Sequence, residues 1–233
     1  MSSPLAYWFF VVAAAVIAVV LCVACRRWPG PWVRWVGRAL ALVLAADAVV
    51  FLVRQVVGGS WSVRSSLPLA LCDVALVVAA VACWFPSWSL GVELTYFWGL
   101  AGTLQAVLTP DLHVGFPSLE FVQFVVGHLG IVVAALYLVV GLRIVPRPGA
   151  AVRVFAITVG YAAVIAAFNL LTGSNYMYLA APPENPSLLS LLGQWPWYLL
   201  SATCVAIVLF AVLDAPFRRR RRRVRQDEPV GPR

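Results

Sequence analysis

Two histidines, five cysteines and nine acids are the reactive groups this 233-residue chain has outside its arginines. Two of them suit a single reaction: Cys72 in "LPLALCDVAL" and His128 in "FVQFVVGHLG". An imidazole that takes the proton of a thiol makes a thiolate nucleophile, which attacks an ester carbonyl, holds the acyl group as a thioester and passes it on. Asp73 follows Cys72 directly. An acid inside an apolar segment costs about 2.5–3.5 kcal/mol on insertion scales unless something compensates it. On a helix Asp73 is turned about 100° from Cys72, so whether it supports His128 stays open. The alternative from residues alone is a core cysteine and a hydrogen-bonded histidine.

The other cysteines, Cys22, Cys25, Cys83 and Cys204, fall in or beside apolar runs and are expected as free thiols, not as a secreted disulfide framework. Cys22 and Cys25 form a C-x-x-C. With two histidines in the chain and no second cysteine pair in a loop, it reads as two small apolar fillers at a helix end. No metal and no diffusible cofactor are expected.

The elements that must position Cys72 and His128 are membrane spans. The chain is 63% apolar and 11% charged, where a soluble domain has about 25% charged residues. Seven apolar runs, at 5–25, 35–57, 67–85, 89–108, 119–142, 151–171 and 196–215, are separated by Pro- and Gly-rich breaks such as "RRWPGPW", "WFPSWS" and "RIVPRPG". In lipid a run of this length satisfies its backbone as a helix. The expected fold is all-α: a polytopic bundle of seven transmembrane helices over residues 1–217, with an Arg-rich tail, 218–233, expected to be disordered. The N-terminus has no basic segment before its long apolar run, so a cleaved signal peptide is not expected.

All 17 basic residues are arginines. With seven spans, every arginine except Arg54 and Arg64 falls on one side, which orients the tail to the cytoplasm and the N-terminus outside. The expected location is the cell membrane. The tail reads as an anchor to anionic lipid head groups and not as a nucleic-acid binder.

This orientation places Cys72 about 8 Å and His128 about 13 Å below the outer boundary, at 1.5 Å per residue. Gln105, Gln123 and Asn169 cluster at the same level. Gln105 and Asn169 are the amide donors expected to support an oxyanion. Arg54 and Arg64 are expected either to hold a lipid head group or to snorkel at the interface. Asp47, two turns from Arg54 on one face, is expected to bridge to it. His113 is expected as a loop surface residue.

Longer motifs carry a resemblance: "SLPLALCD", "ELTYFWGLAGTLQAVLTPDLHVGFPSLEFVQFVVGHLGIV", "NLLTGSNYMYL" and "WPWYLL" resemble the YwaF-like integral membrane proteins over about residues 61–200. That family is similar to a mammalian transmembrane acyltransferase that moves fatty acyl chains between phospholipids with a cysteine and a histidine. The resemblance implies Cys72 as nucleophile and His128 as base, and it places Asn175, Tyr176 and Tyr178 at the rim of the pocket. The chain departs from the pattern at Ala70, where a histidine is expected, and at Gly127, where a small hydroxyl residue is commoner.

The expected activity is therefore transfer or hydrolysis of phospholipid acyl esters, with membrane lipids as donor and acceptor. Rival expectations are a small-solute or proton-coupled transporter using Asp47, Asp73, Glu93 and His128, and a lipid-binding membrane protein without turnover.

Overall fold

The computed structural model describes residues 4–59, 61–110, 112, 114–182 and 191–226, with side chains throughout except at position 4 and positions 220–226. His113 lies outside the described residues. Among those described there is no strand, and the helices follow the apolar runs: α1 Pro4–Arg27, α2 Pro31–Val57, α3 Leu71–Trp84, α4 Ser89–Phe97, α5 Leu104–Leu108, α6 Leu119–Leu136, α7 Ala150–Thr172 and α8 Trp197–Gln226. A π-helical segment, Trp98–Thr103, joins α4 to α5, and a second, Tyr137–Gly141, extends α6. Five segments are long and apolar enough to cross a membrane: Leu5–Arg27, Pro31–Val57, Leu119–Gly141, Ala150–Thr172 and Trp197–Arg219. The protein is a polytopic, all-helical membrane protein.

Three boundaries differ from the sequence reading, each for a local reason. α2 begins at Pro31 instead of 35, because proline in the first turn lacks only an N–H that the helix leaves unbonded anyway. α3 begins at Leu71 instead of 67: Pro68 leaves Leu67 disposed to extended backbone, and the Asp73 carboxylate binds the Ala70 N–H, which sets the helix start. α8 does not end at 215, and of the tail expected to be disordered, residues 227–233 lie outside the described residues. The helix continues through the arginine run to Gln226, helped by good helix formers and an Asp214–Arg218 ion pair one turn apart.

α6 is the central helix: 61% of its most apolar stretch is buried inside the bundle, against 17% for each of the other four long spans. Small residues let its neighbours close on it. A methyl group at Gly37 of α2 would lie 2.8 Å from Tyr137 Oη and 2.9 Å from the Cys83 carbonyl, and one at Gly99 would lie 3.1 Å from Ala135 Cβ. Tyrosine hydroxyls donate to carbonyls of neighbouring segments: Tyr137 to Val33 at 2.7 Å, Tyr7 to Val107 at 2.6 Å and Tyr161 to Leu69, just before α3, at 2.9 Å. These close approaches make α2 antiparallel to α6, and α3 parallel to it.

The arginines that the charge count put on one side meet at one end of the bundle. There Glu93 of α4, 1% exposed, accepts from the Arg147 backbone N–H and from the guanidinium groups of Arg147 and Arg153 at 2.9–3.2 Å. Two planar forks on one carboxylate tie the segment after α6, and α7, to α4.

Candidate functional site

Cys72 lies in the first turn of α3, in the half of the bundle away from the Glu93 clamp. Its polar neighbour is Thr103, whose hydroxyl points at Cys72 Sγ from 3.9 Å. Thr103 ends the π-helical segment, whose wide turn shifts the register of α5 after it. Leu76, one turn after Cys72 on the same face, meets α6 at Gly127: a methyl there would lie 3.7 Å from Leu76 Cδ1. His128 is the next residue; with α3 parallel to α6, Cys72 stands four residues before that level and His128 one after it, so the two are separated by about 7.5 Å in height.

The His128 ring is held in place. Its Nδ1 is 2.9 Å from the Phe124 carbonyl, and the ring stacks on Phe124 with centroids 4.1 Å apart. A carbonyl only accepts, so Nδ1 carries the proton and, in the neutral ring, Nε2 carries the lone pair. Cys72 and His128 are both half-buried, and they are not hydrogen-bonded to each other. The structure thus gives both residues partial exposure and His128 a basic nitrogen, and it leaves them without direct contact.

Asp73 has a different occupation. Its Oδ2 accepts the Ala70 backbone N–H at 3.1 Å, which is the N3-to-N-cap half of a capping box; Ala70 has no side-chain acceptor to complete the other half. Asp47 supplies the unexpected acid at this level. A methyl at Gly127 would come within 2.8 Å of Asp47 Oδ2, so glycine at 127 makes room for that carboxylate between α2 and α6.

The expected Asp47–Arg54 bridge is absent. Seven residues separate the two by about 10.5 Å along the axis, whereas α6 runs closer. Arg54 instead donates to Gln123 Oε1 at 2.5 Å and pairs with Glu120 at 3.5 Å, while Gln123 donates to the Asp47 carbonyl at 3.3 Å. Arg64 donates from Nε to the Thr172 carbonyl at 3.0 Å, over Gly173, whose φ of +68° ends α7 in the left-handed region. Arg54 thus joins α2 to α6, and Arg64 joins the segment before α3 to the end of α7.

Gln105 is half-buried in α5, and its side-chain amide bonds to no described residue. Asn169 is bound on both sides. It donates to the Tyr176 carbonyl at 2.9 Å and accepts from Ser174 Oγ at 2.7 Å and from the Tyr176 N–H at 3.0 Å. These bonds shape the turn after α7, and they leave Gln105 as the freer amide. Tyr176 is buried; its hydroxyl donates to the Val63 carbonyl and accepts from the Leu67 N–H, both at 2.9 Å. Asn175 closes its own loop onto Ala180 and Ala181. The Tyr178 carbonyl accepts from the Tyr198 hydroxyl. "TGSNYMY" is therefore a knot that pins the segment leading into α3 to the ends of α7 and α8.

Thr103 is the residue the sequence reading did not attach to this site, and Asp47 is one it joined to His128 only in the transport reading. A hydroxyl and a carboxylate inside apolar runs were the visible signal, but their partners are distant in sequence. Among the described residues no group of three His, Cys, Asp or Glu is placed to hold a metal.

The family model described as the TMEM164 family matches residues 1–214. No curated protein and no solved structure matches the chain.

Proposed function

This chain belongs to the TMEM164 family, and from that premise we propose a seven-span membrane acyltransferase, or an acyl hydrolase where water is the acceptor. In this reading it resides in the cell membrane, N-terminus outside, and acts on phospholipid acyl esters. The observation that carries the reading is a histidine whose Nδ1 is fixed by Phe124, leaving Nε2 as the base, in the same half of the bundle as the Cys72 thiol and about 7.5 Å from it in height. The YwaF-like resemblance supports the same two residues.

In the proposed cycle Nε2 takes the thiol proton, directly or through a bridging water, and Sγ attacks the ester carbonyl. The tetrahedral intermediate collapses to a Cys72 thioester, and the departing lysolipid alkoxide takes the proton from the imidazolium. An acceptor alcohol, or water, then attacks the thioester with His128 again as base, which restores the thiol. Gln105 is the amide available to the oxyanion.

The test is acyl exchange from a labelled phospholipid by purified protein, against Cys72→Ala and His128→Ala. Loss of exchange in both, with loss of labelling by an acyl-mimicking electrophile in Cys72→Ala, is the expected result; full exchange in both removes the site. Asp47 favours a second reading, proton-coupled transport, since its carboxylate lies between spans without a hydrogen bond or ion pair to a described side chain. Transport that survives Cys72→Ser and is lost in Asp47→Asn would select it.

A further inference from the structure

A cavity lies at the arginine-rich end, far from Cys72. It has a volume of about 540 Å³ and lies where α1 ends, α2 begins and the chain leaves the π segment after α6. Arg26, Arg34 and Arg143 all line it, and no acid does. Other arginines at this end are engaged: Arg147 and Arg153 on Glu93, Arg38 over the rings of Trp35 and Trp84. Arg26, Arg34 and Arg143 form no ion pair with a described residue.

One further feature suits an anion. The 27-residue helix α2 starts at this cavity with no acid in its first turn and no side chain capping it at Gly30, so the positive end of its dipole adds to the arginines. Arg143 has φ +58°, a conformation uncommon for a residue with a side chain, at the point where the chain turns into the cavity wall.

A second cavity, of about 310 Å³, shares Arg26 and Arg143, and the rest of its lining is apolar: Val139, Val140, Val145 and Phe217. Two arginines between a cationic hollow and an apolar one match a molecule with a phosphate at one end and hydrocarbon at the other. The geometry points to a binding site for the phosphate of a lipid head group, held by Arg26, Arg34 and Arg143, with the start of its acyl chain along the Val139–Phe217 hollow. The site is separate from the proposed catalytic pair and does not depend on it.

The test measures binding of dioctanoyl phosphatidic acid to the full chain in detergent, by native mass spectrometry and thermal shift. Saturable binding is expected, weakened about tenfold in Arg26→Gln/Arg143→Gln and several-fold in Arg34→Gln. Arg27→Gln removes the same charge next to the cavity without lining it, and binding should stay within about twofold. Helical content and unfolding temperature of each variant establish that it is folded; if the double variant does not fold, Arg34→Gln carries the comparison. Equal weakening by Arg27→Gln would reduce the site to general surface charge. Inorganic phosphate binding as tightly as the lipid would overturn the lipid assignment in favour of a soluble phosphate. No saturable binding of either would remove the site.

Discussion

The Asp73 carboxylate accepts the Ala70 backbone N–H 3.1 Å away and so closes the first turn of α3, immediately beside Cys72. An acid that is costly in an apolar segment is compensated by a donor that the helix start would otherwise leave unbonded. The same bond fixes where α3 begins and therefore the height of the thiol.

Asp73→Ala is expected to destabilise the protein by about 1 kcal/mol, the usual worth of a cap, whereas Asp73→Asn keeps an acceptor and most of that stability. Thermal unfolding in detergent measures both. Acyl exchange in Asp73→Asn close to the unmodified protein is expected if the residue acts as a cap; a loss as large as in His128→Ala would instead make it a partner of the histidine.

Asp47 and Gly127 should be coupled. Gly127→Ala places a methyl 2.8 Å from Asp47 Oδ2, an overpacking expected to cost about 1–3 kcal/mol. Combined with Asp47→Ala, most of that cost should disappear, which a double-mutant cycle on unfolding reads directly.

Thr103→Val removes the one hydroxyl directed at Cys72 Sγ while keeping the shape of the side chain. Losing a hydrogen bond worth about 1 kcal/mol should slow labelling by a thiol-directed acyl electrophile about fivefold, with the unfolding temperature little changed. An unaltered labelling rate would show that the hydroxyl does not support the thiolate.

Glu93→Gln should be among the most destabilising single changes at the arginine-rich end. The carboxylate is buried and accepts from two guanidinium groups, so its neutral replacement leaves those cations without their counter-charge. Since Arg147 and Arg153 are themselves 49% and 36% exposed, water recovers part of the loss, and about 2–3 kcal/mol is expected. Arg153→Gln should cost less, because Arg147 still engages the carboxylate. Chemical unfolding in mixed micelles compares the three.

The helices were legible in the sequence because lipid leaves a long apolar run few alternatives. Runs of about 20 apolar residues must bond their own backbones, and Pro, Gly and Arg mark where they stop. That Cys72 and His128 fall in the same half of the bundle was legible for the same reason, since helical rise converts position along the chain into height. What helical rise does not contain is which faces meet. Only the tertiary structure decided that Arg54 reaches Glu120 and Gln123 on α6 and not Asp47 on its own helix, that Asn169 is bound within the turn after α7, and that Asp73 caps α3. It also decided that Arg26, Arg34 and Arg143 converge on one hollow. Each of these is a contact of a few ångströms, set by the azimuth and packing of helices whose apolar surfaces look alike in sequence. Hydrophobic patterning selects helices and their lengths, while small residues such as Gly37, Gly99 and Gly127 select how they close, and that closure assigns the polar groups their partners.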